Sequence, residues 1–194
     1  ESVEVWNRRT NQLQTIRPEE CAFGYRMSLF KRQPGHFLVL AVNFHFEMGR
    51  QGTPIAYPEL ATTLGVEVGG RAPAAAVRSS VLEIRARKGM VLDEQDHDTW
   101  SAGSFFTNPI LNEEQAALLP AKAPQWPTEG NVKTSAAWLI QAAGFTRGYG
   151  GAAAALSRKH VLALTNRGTA RAEDLVSLAR EVRDGVWHCF GIEL

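Results

Sequence analysis

The sequence predicts an α+β protein: a β-rich first region, then a region where helix and strand alternate. Two observations predict it. Apolar residues recur at period two near the N-terminus and at helical spacing from residue 73 onward. Between them, residues 49–72 are irregular, carrying Gly49, Gly52, Pro54, Pro58, Gly65, Gly69 and Gly70. With 194 residues the chain holds one large domain or two small ones, and the boundary is expected near residue 70, dividing it into 1–70 and 71–194.

Val3–Trp6 alternates apolar and polar residues, Asn7–Asn11 supplies turn residues, and Leu13–Ile16 resumes, which reads as a hairpin. Phe37–Phe46 reads as a strand with Leu38, Leu40, Val42, Phe44 and Phe46 on one face. Phe37, Val39 and Ala41 make the other face apolar too, so the first half of this strand is expected to be covered on both sides. A short helix is expected over Pro58–Leu64, with Pro in its first turn. Another is expected over Pro73–Arg87, with Val77, Val81 and Ile84 on one face and Arg85, Arg87 and Lys88 at the negative end of its dipole. Asp93–Asp98 is expected to be exposed loop. Further on come helices at Glu113–Leu119 and Thr134–Ala143, a strand at Val161–Thr165 and a long helix at Ala172–Val186. The stripe of that last helix is Leu175, Leu178, Ala179, Val182 and Val186.

Composition narrows the function. Lys and Arg number 21 against 20 Asp and Glu, a net charge of +1, which argues against a counterion-releasing nucleic-acid binder. No apolar run approaches the ~18 residues of a membrane-spanning helix, and the N-terminus has no basic segment leading into an apolar one. Cys21 and Cys189 fit no metal or redox spacing and read as small buried hydrophobes in a reducing cytoplasm. No His pair has ligand spacing, so Asp96-His97-Asp98 reads as solvated loop and no metal is expected. Gly148–Gly151 matches no phosphate-binding pattern and reads as a flexible turn.

Two stretches carry possible chemistry. In Phe23-Gly-Tyr-Arg-Met-Ser28, Arg26 either clamps a carboxylate or phosphate through its fork or pairs with a surface acid in a packed turn. In Ala102-Gly-Ser-Phe-Phe-Thr-Asn-Pro109, Ser104 either donates a proton from a pocket dried by Phe105 and Phe106 or is a hydrogen-bonded loop serine. It lacks the G-x-S-x-G setting of a hydrolase nucleophile.

In order, Glu20–Lys31, Ala56–Leu60, Arg87–Asp93, Ala102–Pro109, Lys133–Gly144, His160–Gly168 and Phe190–Leu194 resemble the UDP-N-acetylenolpyruvoylglucosamine reductase (MurB) family. The resemblance covers nearly the whole chain. It implies the end of a β-rich FAD-binding domain over 1–70 and an α/β domain for the UDP-sugar over 71–194. It implies an FAD flavoenzyme that takes a hydride from NADPH and reduces UDP-N-acetylglucosamine enolpyruvate to UDP-N-acetylmuramate, in the cytoplasm. Such a step serves peptidoglycan synthesis, and through it cell-wall biogenesis, cell shape and cell division.

Carried over residue by residue, the resemblance makes Ser104 the proton donor to substrate C2 and Arg26 the cation facing the growing negative charge. It makes Tyr57, Lys88 and Asn108 substrate contacts, while leaving the flavin contacts of this chain unassigned. The expected partner is the nucleotide-sugar alone, with no nucleic acid and no membrane, on a monomer. Met27 departs from the family's usual acid after the motif arginine. The family's glutamate lies beyond the motif ending at Leu194, so Glu193 is not that residue. The chain therefore reads as a C-terminal part cut from a longer parent at both ends, and inactive alone. The rival reading is a UDP-sugar-binding module with no redox role.

Overall fold

The computed structural model describes residues 1–128 and 130–194. They form two compact units, Glu1–Arg50 and Gln51–Leu194.

The first unit is built on a three-stranded antiparallel sheet in the order β2-β1-β3, with β1 at Ser2–Asn7, β2 at Gln12–Ile16 and β3 at Phe37–Asn43. The hairpin pairs Val3 with Ile16 through Asn7 with Gln12. Asn7 closes it: its Oδ1 accepts from the N–H groups of Arg9 and Thr10 at 2.9 and 3.2 Å, which satisfies this buried side chain within the turn. Val3, Val5, Ile16 and Cys21 form the core, with Leu29, Phe30 and Phe37 against it. One helical turn, α1 at Leu29–Arg32, is capped by Ser28.

The long strand departs from expectation twice. It ends at Asn43, whose amide donates to Ser2 Oγ and Glu4 Oε1 at 3.1 and 3.2 Å, and Phe44 and Phe46 lie beyond it. The expected cover is also missing: Leu38, Val39, Leu40 and Val42 are each about half exposed. Period two describes the strand, but within this unit no second layer packs on those side chains.

In the second unit, α2 (Pro58–Leu64) and α3 (Ala74–Arg87) occupy the expected positions. Ile55, Ala61 and Ala72 are buried between them with Leu60, Leu64, Val66 and Val77. Backbone bonds from Gly52 to Ala72, from Ile55 to Gly70 and from Gly69 to Ile55 close the segment before α3. Residues 51–70, grouped in sequence with the β-rich region, thus make their contacts with α3.

A larger core holds Phe106, Leu111, Leu139, Ile140, Leu156, Leu164, Val182 and Val186 among others. Around it lie β4 (Ile110–Leu111), α4 (Glu113–Ala117), β5 (Gln125–Thr128), β6 (Asn131–Thr134), α5 (Ala136–Ala142), β7 (Ala154–Leu156), β8 (Leu164–Asn166) and α6 (Ala172–Phe190). The strands form an antiparallel β4-β6-β5 sheet and a β7-β8 pair. The stripe of α6 buries Leu178, Ala179, Val182 and Val186 as its periodicity predicts. The helix runs one turn past the expected end, to Gly191 at φ +64°, the first residue able to take a left-handed cap without strain. The β4-β6-β5 sheet has no counterpart in the sequence reading. Its strands are two to four residues long and one contains Pro127, too short to show a period.

Two further expectations change. Cys21 is buried but Cys189 is exposed on α6, and both are free. Asp93–Asp98 is not wholly solvated, because Asp98 is buried and ion-paired.

Candidate functional site

A groove of about 730 Å³ opens in the Gln51–Leu194 unit. Its walls are the start of α2 (Tyr57, Glu59), the inner face and end of α3 (Val81, Ile84, Arg85, Lys88), and Met90, Gly103, Ser104 and His160. It has an apolar floor, cations on one wall and a hydroxyl–imidazole pair on another, the make-up of a site for a polar small molecule.

Each polar group arrives there for a local reason. Lys88 follows the last residue of α3, and the next residue, Gly89, turns the chain at φ +70°. A Cβ at Gly89 would stand 2.8 Å from the carbonyl oxygen of Asp98, so only glycine permits this approach. Asp98 anchors the other side. Its Oδ1 accepts from Arg158 N–H at 3.0 Å and from the Arg167 guanidinium at 2.8 Å, and its carbonyl accepts from Ser157 Oγ at 3.3 Å. Ser157, fully buried, in turn accepts from the N–H groups of Lys159 and His160 at 3.1 and 3.3 Å. Lys159 pairs with Asp96, whose carboxyl is held below its ordinary range by the Lys159 ammonium and by the Asp98 N–H. This network shapes the turn that ends on His160.

Ser104 is tied to the same segment. It bridges Ala163 in antiparallel fashion, and the N–H of Phe105 donates to Leu162 O at 2.7 Å. Gly103 precedes it at φ +87°. The result is a contact across the chain: Ser104 Oγ lies 3.0 Å from His160 Nε2. Burial lowers the His160 pKa below its ordinary 6.5, and the nearby Lys88 and Arg147 cations add to that, so the ring is neutral at pH 7.

Ser104, Lys88 and Tyr57 therefore meet in one groove. Tyr57 stands exposed at the N-terminus of α2, and Lys88 forms an ion pair with Glu59 across the opening. Both partners of that pair are about half exposed, so solvent screens it and a stronger anion can displace Glu59. Ser104 itself is exposed. Of its expected dry walls, Phe106 is in the core, but Phe105 is 56% exposed, so the aromatic pair does not seal the hydroxyl from water.

Asn108 does not line the groove. Its Oδ1 accepts from Ala136 N–H at 3.0 Å and so satisfies the start of α5, alongside Ser135, which caps Trp138 N–H. Arg26 belongs to the other unit. It is exposed, and among the described residues no salt bridge involves it. It sits at φ +56° in the turn where Gly24 and Met27 exchange backbone hydrogen bonds, and its carbonyl accepts from Lys31 Nζ at 3.0 Å. A left-handed conformation at an arginine costs about 1 kcal/mol, a strain that stands out beside an exposed guanidinium.

The sequence reading gave His160 no role. Its sequence signals are that it ends a polar turn before an apolar strand and opens the stretch His160–Gly168 that carries part of the resemblance. Among the described residues no cluster of three or more His, Cys, Asp or Glu is arranged for a metal, and no helix is long and apolar enough to cross a membrane.

The second unit is thus an α/β domain with a groove that carries cations and a serine–histidine pair. The family model of the UDP-N-acetylenolpyruvoylglucosamine reductase C-terminal domain matches residues 94–194. The chain belongs to the UDP-N-acetylenolpyruvoylglucosamine reductase family. It is 52% identical over 204 residues to the reductase of that name from Streptomyces avermitilis, covering 99% of this chain and 56% of the relative. It is 50% identical to that from Mycolicibacterium gilvum over 198 residues, again 99% and 56%. Among solved structures it is similar to the UDP-N-acetylenolpyruvylglucosamine reductase of Thermus caldophilus, with a TM-score of 0.51 and 25% identity over 95% of this chain and 48% of that one. The chain thus spans about half the length of the relatives it matches.

Proposed function

We propose that this chain supplies the substrate side of a reductase that converts UDP-N-acetylglucosamine enolpyruvate to UDP-N-acetylmuramate, for peptidoglycan precursor synthesis in the cytoplasm. One observation carries the reading: in a chain of this family, Ser104, Lys88 and Tyr57 converge on one groove. FAD and NADPH are the redox partners of the whole protein, which acts as a monomer. The β-rich first region belongs to the flavin-binding domain and the second region to the substrate domain.

The Glu1–Arg50 unit does not by itself fit a flavin dinucleotide. The flavin's pyrophosphate is favoured by backbone N–H groups at a helix start, and among the described residues of this unit the one helix is the four-residue α1, whose Leu29 N–H donates to Cys21 O at 2.7 Å and whose Lys31 N–H donates to Ser28 Oγ at 3.4 Å. The hydride chemistry is therefore a property of the whole protein, and this chain's share is binding and proton transfer.

Lys88, released from Glu59, meets the diphosphate as a point charge. Tyr57 covers the open side of the groove, and Asn108 contributes to the nucleotide-sugar from outside it. To Arg26 we assign the role of cation for the substrate carboxylate, where charge grows in the transition state. Ser104 gives its proton to C2 of the substrate.

The test uses the full-length protein carrying this chain, followed by stopped-flow absorbance of the flavin. Ser104→Ala leaves reduction by NADPH unchanged and slows reoxidation by the enolpyruvyl substrate at least ~100-fold. Slowed reduction with untouched reoxidation overturns the role of Ser104. A protein that binds the UDP-sugar but never reduces it overturns the reductase reading in favour of a binding module.

A further inference from the structure

Serine is a poor acid, so a serine that protonates carbon needs help at its oxygen. We propose that His160 is the positioning residue of Ser104, its Nε2–H donating to Ser104 Oγ so that the serine proton is free to point into the groove. This rests on the reductase reading and adds a positioning residue to it.

The geometry carries the inference. The 3.0 Å contact joins residues 56 apart in sequence, and both line the groove. Neither group is held there by accident. The backbone beside Ser104 is pinned to Leu162 and Ala163, and the His160 N–H is pinned to the buried Ser157. A neutral imidazole has one N–H and one bare nitrogen, and the partner oxygen decides which nitrogen carries the proton. If Nε2 were bare, the serine would spend its proton on the ring and have none to give. With Nε2–H as donor, Oγ–H remains free, and an anion forming on Oγ already has a hydrogen bond in place. The cations facing the ring, Lys88 and Arg147, together with burial, keep it neutral, so its one proton has a defined position.

The step balances as a proton transfer. Hydride delivery to the neighbouring carbon in the whole protein would leave an electron pair at C2. That pair forms the new C–H bond, the Oγ–H bond breaks, and its electrons stay on Oγ. The alkoxide is held by Nε2–H until water returns a proton, for which the exposed edge of Ser104 leaves room.

The experiment takes the full-length holoenzyme with two variants at this position. His160→Ala lowers kcat for enolpyruvyl reduction about 10- to 100-fold, with KM within about twofold, and leaves flavin reduction by NADPH unchanged. His160→Gln, whose amide N–H reaches the same oxygen, recovers most of the loss. Independently of turnover, long-range 1H–15N spectra of 15N-histidine-labelled protein, assigned by the signal lost in His160→Gln, show His160 neutral at pH 7 with Nε2 protonated. A Nδ1–H tautomer overturns the proposal, as does equal activity of the Ala and Gln variants. If His160→Ala fails to fold, seen as loss of bound flavin, the Gln variant and the tautomer decide. Wild-type holoenzyme that reduces no enolpyruvyl substrate sinks the reductase reading itself, whereas normal wild-type activity with an indifferent His160 sinks only this proposal.

Discussion

In the Glu1–Arg50 unit the buried apolar residues are Val3, Val5, Ile16 and Cys21, while Leu38, Leu40 and Val42 stand about half exposed on the neighbouring strand. In Gln51–Leu194 the corresponding elements are closed: Leu139, Ile140, Leu156, Val182 and Val186 are fully buried, and α5, α6, β7 and β8 pack around them. The difference separates two kinds of sequence signal. Apolar periodicity records which face of an element is meant to be covered, and an element fulfils it only where a second layer is supplied. The groove sits in the unit with the closed core, where hydrogen-bonded turns hold Ser104 Oγ 3.0 Å from His160 Nε2.

The largest expected effect sharpens this contrast directly. Ile140→Ala costs about 3 kcal/mol of unfolding free energy, from lost burial plus the cavity left behind. Leu40→Ala, at a site 52% exposed, changes stability by no more than about 0.5 kcal/mol. Urea melts of the two variants measure both, and comparable losses would show that β3 is covered in solution.

A smaller effect probes packing inside the second unit. Gly185 lies in the middle of α6, where alanine is ordinarily better by about 1 kcal/mol. Here an added Cβ would stand 2.4 Å from two ring atoms of Phe145, which packs edge-on to Tyr149. Gly185→Ala therefore destabilises by a net ~1–2 kcal/mol, overpacking outweighing helix propensity. Gly151→Ala, with nothing within 4 Å of its Cβ, stays within about 0.5 kcal/mol. A stabilising Gly185→Ala would mean that the core around Phe145 is loose.

The smallest effect is on pH. His160 in the second unit and His36 in the first both have pKa values lowered from 6.5, chiefly by burial. A lowered folded pKa means that the unfolded chain binds the proton more readily, so this contribution is present above pH 6.5 and is lost as pH falls through the folded values. Asp96, lowered from 3.8 by Lys159, adds a second loss in the same direction at more acid pH. Thermal melts between pH 8 and 5 show Tm falling on acidification, and His160→Gln flattens the part due to the second unit. A Tm that rises toward pH 5 would contradict the sign for both histidines.

The sequence by itself determined the hairpin, α2, α3 and α6, because their signals lie within a few turns of chain: Asn7 and Asn11 at the turn, Pro58 and Pro73 at helix starts, and the Leu175–Val186 stripe of α6. It also identified the family and three of the groove residues, Ser104, Lys88 and Tyr57, through motifs that are continuous in the chain. Tertiary structure alone decided what depends on distant partners. Asp98 reads as one more acid in a solvated run until Arg158 and Arg167 reach it from 60 and 69 residues away. Asn108 reads in sequence as a substrate contact, and only the fold shows that its oxygen also accepts from Ala136 N–H at the start of α5. His160 reads as a turn residue until the Ser104–Ala163 bridge carries its ring to the serine. A hydrogen bond is lost within a few tenths of an ångström, and no local pattern records which groups the folded chain will bring that close.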